Sequence, residues 1–319
     1  MTVDPLLAAL PSDLAARVTT LRRTDGRVIV VADASGLPAS GRDGLEQALK
    51  DSLGAQPGVE EVHVALTADK PRRRMIAVGS GKGGVGKSTL TTNLAIALAR
   101  AGRRVGIVDA DIYGPSQPML LGTSAAKPEA AGDKLIPVST AFGVSVLSMG
   151  HLIAPGRAIA WRGPMAGKAL EQLIDAEWGE TDLLLIDLPP GTGDVQLTML
   201  QRHKPDGAVI VSTPQDLALI DAARAGQLLE AAGVPVIGLV ENMAGYRCPH
   251  CGETSDPFGH GGIEAAAARM ELPFLGRIPL APAIREASDR GAPPAASDGE
   301  HAAAFAAIAA RLDEWLDQA

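Results

Sequence analysis

The sequence predicts an α/β protein, a doubly wound and mostly parallel sheet with a small α+β module in front of it. Three observations carry that prediction. From residue 75 onward, short apolar runs alternate with segments of helical period. Several of those runs are unbroken Val, Ile and Leu, as strands covered on both faces require. One of them leads into a glycine-rich turn that opens directly into a helix.

Taken in order, residues 12–21 read as a helix, 27–32 as a strand and 42–53 as a helix. Residues 59–67 alternate, with Val62, Val64 and Leu66 facing inward. This αβαβ pattern delimits a module over residues 1–70. Residues 71–74, a proline followed by three arginines, read as a solvated linker to a second domain over residues 75–319. Its strand candidates are 75–80, 104–109, 144–148, 183–187, 208–213, 236–241 and 274–279. Helices are expected at 89–101, 166–176, 216–232 and 302–316. Such alternation places ligands at the carboxyl ends of the strands.

Composition narrows the function. The chain has 319 residues, 46% of them apolar, enough for one large domain with an appendage. Aromatic residues are only 3%, too few for stacking single-stranded nucleic acid, and a net charge of −8 opposes nucleic acid or anionic lipid as partners. No apolar run reaches the roughly 20 residues of a membrane span, and no signal pattern opens the chain. Two cysteines do not make a disulfide framework. A soluble cytoplasmic protein is expected.

The turn reads Gly81-Lys82-Gly83-Gly84-Val85-Gly86-Lys87-Ser88-Thr89, a P-loop between a strand and a helix. Its glycines let backbone N–H groups converge on a polyphosphate, and the helix N-terminus adds about half a positive charge there. Lys87 can reach the β- and γ-phosphates, and the Ser88 hydroxyl can ligate Mg²⁺. Gly79, Gly81 and Gly84 also spell a dinucleotide fingerprint, with Asp109 and Asp111 as ribose contacts. That reading leaves Gly86-Lys87-Ser88 unexplained.

Asp109 and Asp111 close a strand on the same edge, where a carboxylate can orient and deprotonate a water aimed at the γ-phosphate. Residues 183–187 form an apolar strand ending in Asp187, a Walker B pattern that would hold Mg²⁺ through water. Residues 188–194, Leu-Pro-Pro-Gly-Thr-Gly-Asp, read as a switch sensing the γ-phosphate. Residues 213–216, Thr-Pro-Gln-Asp, lack the lysine of a guanine reader. Adenine is therefore expected, with Asn242 as a base contact.

Cys248 and Cys251 form the motif Cys-Pro-His-Cys in a loop rich in glycine and proline. Two thiolates are half of a four-ligand site, so a symmetric dimer could hold a [4Fe–4S] cluster or a zinc ion between four. His250 and His260 could instead complete a zinc site within one chain. A redox dithiol and two incidental thiols are the remaining readings.

The second domain resembles the Mrp/ApbC family of P-loop ATPases, iron–sulfur cluster carriers of the deviant Walker A class, over residues 75 to about 294. GKGGVGKST, VDADIYGPS from Val108, WRGPM from Trp161, DLPPGTGD from Asp187, TPQDLALIDA from Thr213 and ENMAGYRCPHCG from Glu241 carry the likeness. The resemblance implies a homodimer that binds ATP, bridges a [4Fe–4S] cluster at the paired cysteines, and hands it from assembly scaffolds to apo iron–sulfur proteins. It implies slow hydrolysis coupled to that transfer. Lys82 matches the signature lysine that reaches the partner's phosphates, Asp111 the switch I acid, Asp187 the Walker B acid and Asn242 the base contact. The first seventy residues resemble a degenerate MIP18-like domain, and they contain no cysteine.

Two rivals belong to other classes. A ParA/MinD-like spatial organiser would want a basic amphipathic C-terminal helix or a basic DNA-binding face; residues 301–319 set Arg311 against Asp313, Glu314 and Asp317. A zinc-bridged structural dimer with a vestigial nucleotide site is the other.

Overall fold

The protein is described from a computed structural model that covers residues 5–35, 37, 39–67, 73–152, 163–191 and 193–318. It divides into two compact units, Met1–Arg72 and Arg73–Ala319.

In the first unit β1 (Val18–Thr24), β2 (Arg27–Asp33) and β3 (Glu61–Thr67) form one sheet in the order β1-β2-β3. Helix α1 (Ala39–Gly54) packs on it through Leu45, Leu49 and Leu53 against Val28, Val30 and Ala32. The helix expected over 12–21 is corrected here. It stops at Ala15, and residues 18–24 pair antiparallel with β2. The cause lies in the turn: Asp25 and Gly26 both take positive φ, 48° and 79°, which suits the twist of a two-residue hairpin. Val18, Thr19 and Thr20 are β-branched besides, and they favour the extended chain. The module is thus built on a hairpin rather than on αβαβ.

The second unit holds an eight-stranded sheet. Its strands are β4 (Arg74–Gly79), β5 (Val105–Asp109), β6 (Val138–Ser139), β7 (Ser145–Ser148), β8 (Leu183–Asp187), β9 (Gly207–Ser212), β10 (Val236–Asn242) and β11 (Phe274–Ile278). Their order is β11-β10-β9-β4-β8-β5-β7-β6, parallel except for the β6–β7 edge. Of the expected linker, residues 71 and 72 lie outside the described residues and Arg74 already opens β4.

Alternation along the strands divides the core in two. Ile76, Val78, Leu183 and Leu185 meet Leu90, Leu94 and Leu98 of α2 (Lys87–Arg100) and Phe305, Ile308 and Leu312 of the C-terminal helix Glu300–Gln318. Ala77, Val108, Leu184 and Ile186 face the other way. There they meet Leu170 and Leu173 of the helix Gly163–Ile174, Leu200 of Asp194–His203, and Ala225 and Leu229 of Asp216–Ala231. Residue i of each strand therefore serves one layer and i+1 the other.

After β4 the chain moves outward to β5 and β7, then returns to place β8 between β4 and β5. It next crosses to β9 on the far side of β4. The winding reverses at β4, and the crevice at its carboxyl end is where such a sheet binds ligands.

Candidate functional site

The loop after β4 occupies that crevice. Its first contact is steric: a Cβ on Gly81 would stand 2.1 Å from the carbonyl oxygen of Asp221, in the helix Asp216–Ala231. Only glycine lets the loop lie this close to that backbone. Gly86 caps α2 with φ 83°, and a Cβ there would meet the Asn242 side-chain amide at 2.1 Å. That amide donates to the Val85 carbonyl at 2.7 Å. Because the carbonyl can only accept, the bond fixes which way the amide points, and Asn242 Oδ1 is left to accept from elsewhere.

A cavity of about 440 Å³ opens over the loop. Residues 82–84 and 86–89 line it, with Asp111, Pro190 and Asn242, and an apolar wall that includes Pro279, Leu280 and Ile284. Gly81, Val85, Asp109 and Asp187 stand behind this lining, as the support of the loop. The structure thus brings the P-loop, the acid at 111 and the candidate base contact to one cavity, and sets the other two acids beneath it.

Lys87 is 6% exposed and its Nζ donates to Asp187 Oδ1 at 2.5 Å, with Ser88 Oγ 3.3 Å away. Thr91 Oγ1 also reaches Asp187 Oδ1, at 3.3 Å. On the other carboxylate oxygen, Gln117 Nε2 donates at 2.9 Å. Asp109 is fully buried and accepts from Ser148 Oγ at 2.8 Å and from the backbone N–H groups of Gln117 and Asp111. Burial first, and then the nearby Asp187 charge, push its carboxyl up to about 7. Asp111 accepts from the backbone N–H groups of Tyr113 and Gly114, at 3.2 and 3.1 Å, which fixes the loop around it.

Lys82 lines the cavity and its Nζ lies 3.4 Å from Gln215 Oε1. The segment after β8 is tied to the P-loop strand: the N–H of Leu188 donates to the Val78 carbonyl and that of Gly191 to Ser80. Thr192 lies outside the described residues, as do Trp161 and Arg162 of the WRGPM motif.

The cysteines sit in a small hairpin that follows β10. Tyr246–Arg247 pairs with Thr254–Ser255, and the N–H of Cys248 donates to the Glu253 carbonyl at 2.9 Å. Both thiols are free, Cys248 half-buried and Cys251 exposed. Backbone N–H groups of Cys251 and His250 face the Cys248 sulfur and hold its pKa below the usual thiol value. Among the described residues no group of three or more His, Cys, Asp or Glu is gathered for a metal ion. The one-chain zinc site with His250 and His260 is therefore not formed; His260 turns to Asp256 instead, 3.5 Å away.

Sequence reasoning missed Gln117, which is fully buried at the centre of this network. Its only signal was position, eight residues beyond the acid at 109 in the segment that follows β5.

Comparison with known proteins bears on this site. The family model described as ParA, NUBPL iron-transfer P-loop NTPase, matches residues 72–313. The chain belongs to that family. Within the family, the iron-sulfur cluster carrier protein of Deinococcus radiodurans is 45% identical over 272 residues, covering 82% of this chain and 77% of that one. The protein of the same name in Methanocaldococcus jannaschii is 44% identical over 248 residues, covering 77% and 86%. Among solved structures, a nucleotide-binding protein from Archaeoglobus fulgidus in complex with ADP superposes with a TM-score of 0.61. It is 44% identical over 69% of this chain and 86% of that one. The cell division ATPase MinD of Pyrococcus furiosus gives 0.58 at 28% identity, over 76% and 99%. This member of the family is thus a P-loop NTPase in sequence and in fold. Among its described residues no helix is long and apolar enough to cross a membrane.

Proposed function

We propose that this P-loop NTPase is an ATP-dependent iron–sulfur cluster carrier. As a homodimer it assembles a bridging [4Fe–4S] cluster on Cys248 and Cys251 of each protomer and delivers it to apo-proteins in the cytoplasm. The observation that carries the reading is the pair of free thiols on a hairpin leaving β10 immediately after the cavity wall at Asn242. Each protomer offers two thiolates where a closed cluster takes four, so a two-fold pairing of hairpins completes the set. The names of the relatives at 44–45% identity support the cargo.

In this reading Lys87 exchanges Asp187 for phosphate oxygens when ATP enters, and Asp111 orients and deprotonates the attacking water. Lys82 leaves Gln215 for the phosphates of the partner protomer. Asn242 Oδ1 accepts from the exocyclic amine of adenine, a group that guanine replaces with an oxygen. The donors around Ser88 and Asp187 are hydroxyl and carboxylate oxygens, which suit Mg²⁺. Ser88 would hold the ion directly and Asp187 through water, and the ion would neutralise charge between the β- and γ-phosphates.

A MinD-like organiser shares the fold but gives the thiol hairpin no task. A zinc-bridged dimer uses the thiols but leaves the cavity idle. Anaerobic reconstitution separates the three. The wild type is expected to take up iron and sulfide in equal number, four of each per dimer, with the charge-transfer absorbance of a [4Fe–4S] cluster. Cys248→Ala should lose both while its ATP affinity, measured in parallel, stays within about threefold. Zinc uptake alone, or a full cluster on the variant, overturns the proposal.

A further inference from the structure

We propose that Gln117 is a positioning residue that makes movement of the loop at residues 111–116 felt at Asp187, the last residue before the segment at 188–191. The inference rests only on the nucleotide-binding part of the function proposed above.

Gln117 opens the short helix Gln117–Leu120 at the end of that loop. Its Nε2 donates to Asp187 Oδ2 at 2.9 Å and to the Ser88 carbonyl at 3.1 Å. Its Oε1 accepts from Thr92 Oγ1 at 2.6 Å, and its backbone N–H donates to Asp109 Oδ2 at 3.1 Å. These four bonds occupy both amide hydrogens, the amide oxygen and the main-chain donor. The carboxylate and carbonyl accept only, so the amide has a single orientation. A charged partner makes the Asp187 bond the strong member of the set.

Two consequences follow from that arrangement. With Oδ2 engaged, Asp187 presents Oδ1 alone to Lys87, so Gln117 decides which carboxylate oxygen faces the P-loop lysine. And because Gln117 directly follows the loop that carries Asp111, a shift of that loop that displaces residue 117 loosens the hold on Asp109 and on Asp187 together. The next residues, Leu188 and Gly191, are bonded to the P-loop strand, and Pro190 lines the cavity. One buried amide thus joins the loop after β5 to the loop after β8.

Hydrogen–deuterium exchange tests this coupling, on the full chain with a non-hydrolysable ATP analogue and Mg²⁺. In the wild type, peptides covering 110–117 and 187–197 should both slow on ligand addition, by about tenfold. In Gln117→Met, which keeps the volume and removes the amide, the first peptides should still slow while the second change less than about twofold. If that variant does not fold, Gln117→Leu, which also removes the amide donors to Asp187 and Ser88, is read by the same criterion. Equal responses of both segments in the variant overturn the coupling alone. A wild type in which no segment responds overturns the nucleotide-binding reading, and this inference with it.

Discussion

Lys87 Nζ and Asp187 Oδ1 lie 2.5 Å apart with almost no exposure to solvent, a buried ion pair in which the lysine lines the cavity and the acid lies beneath it. Removing one member leaves the other charge without its partner. Lys87→Ala is therefore expected to destabilise the nucleotide-free protein by about 3–5 kcal/mol, as well as to abolish ATP binding. Urea denaturation checks this. A loss below about 1 kcal/mol would show that water solvates Asp187 as well as Lys87 does.

Gly81 tests the loop's seat rather than its charge. Its ideal Cβ falls 2.1 Å from the Asp221 carbonyl oxygen; the Cβ position is fixed by the backbone and the carbonyl is backbone itself, so neither can rotate away. Gly81→Ala should weaken ATP binding by at least about tenfold, because the loop must lift off the helix Asp216–Ala231. Calorimetric titration measures it, and unchanged affinity would mean that the loop is not held at this contact.

Lys82 stands in the cavity with Gln215 as its neighbour. If it acts as a charge supplied to the partner's transition state, Lys82→Ala should lower turnover by on the order of 10³ while leaving the Kd for ATP nearly unchanged. A parallel loss of affinity and rate would make it an ordinary ground-state phosphate ligand.

His151 gives a prediction in pH. It is buried against Thr123, with Nε2 3.0 Å from the hydroxyl, and burial lowers its pKa from 6.5. The unfolded chain then binds the extra proton first, so stability is full above about pH 6.5 and declines as pH falls towards the folded pKa. Relative to His151→Asn, the wild type should lose stability between pH 7.5 and about 5. Taking the difference between the two proteins cancels the titration of Asp109, whose raised pKa works with the opposite sign. A gap constant with pH would refute the assignment.

The elements that carry the chemistry were written plainly in the sequence, for a physical reason. Strands buried on both faces must be continuous Val, Ile and Leu, and residues 183–187 come out as a strand with the bounds expected of them. Gly81 and Gly86 of the turn are forced by close approach, so they too leave a spelling. Gln117 leaves none, because a glutamine beside Ser116 and Pro118 in a turn has the composition of a surface loop. The helices Asp194–His203, Gly262–Arg269 and Pro282–Asp289 were also not read. Pro282–Asp289 buries only Ile284 and Ser288, one of them polar, which gives an eight-residue segment too little period to detect. The N-terminal hairpin is a different case, since Asp25-Gly26 is a turn signal that went unused.

Two main-chain bonds give the thiol hairpin its mechanical setting. The N–H of Ala244 donates to the Ile278 carbonyl, and that of Leu280 to the Gly245 carbonyl, so the root of the hairpin is stitched to the strap that walls the cavity. The cavity and the thiol hairpin therefore hang from the same seam. Lengthening the chain at the hairpin's tip, beyond Cys251, should be harmless to that arrangement. A single residue inserted between Asn242 and Gly245 would shear the stitching and, in the proposed carrier, part the sulfur atoms from whatever fills the crevice.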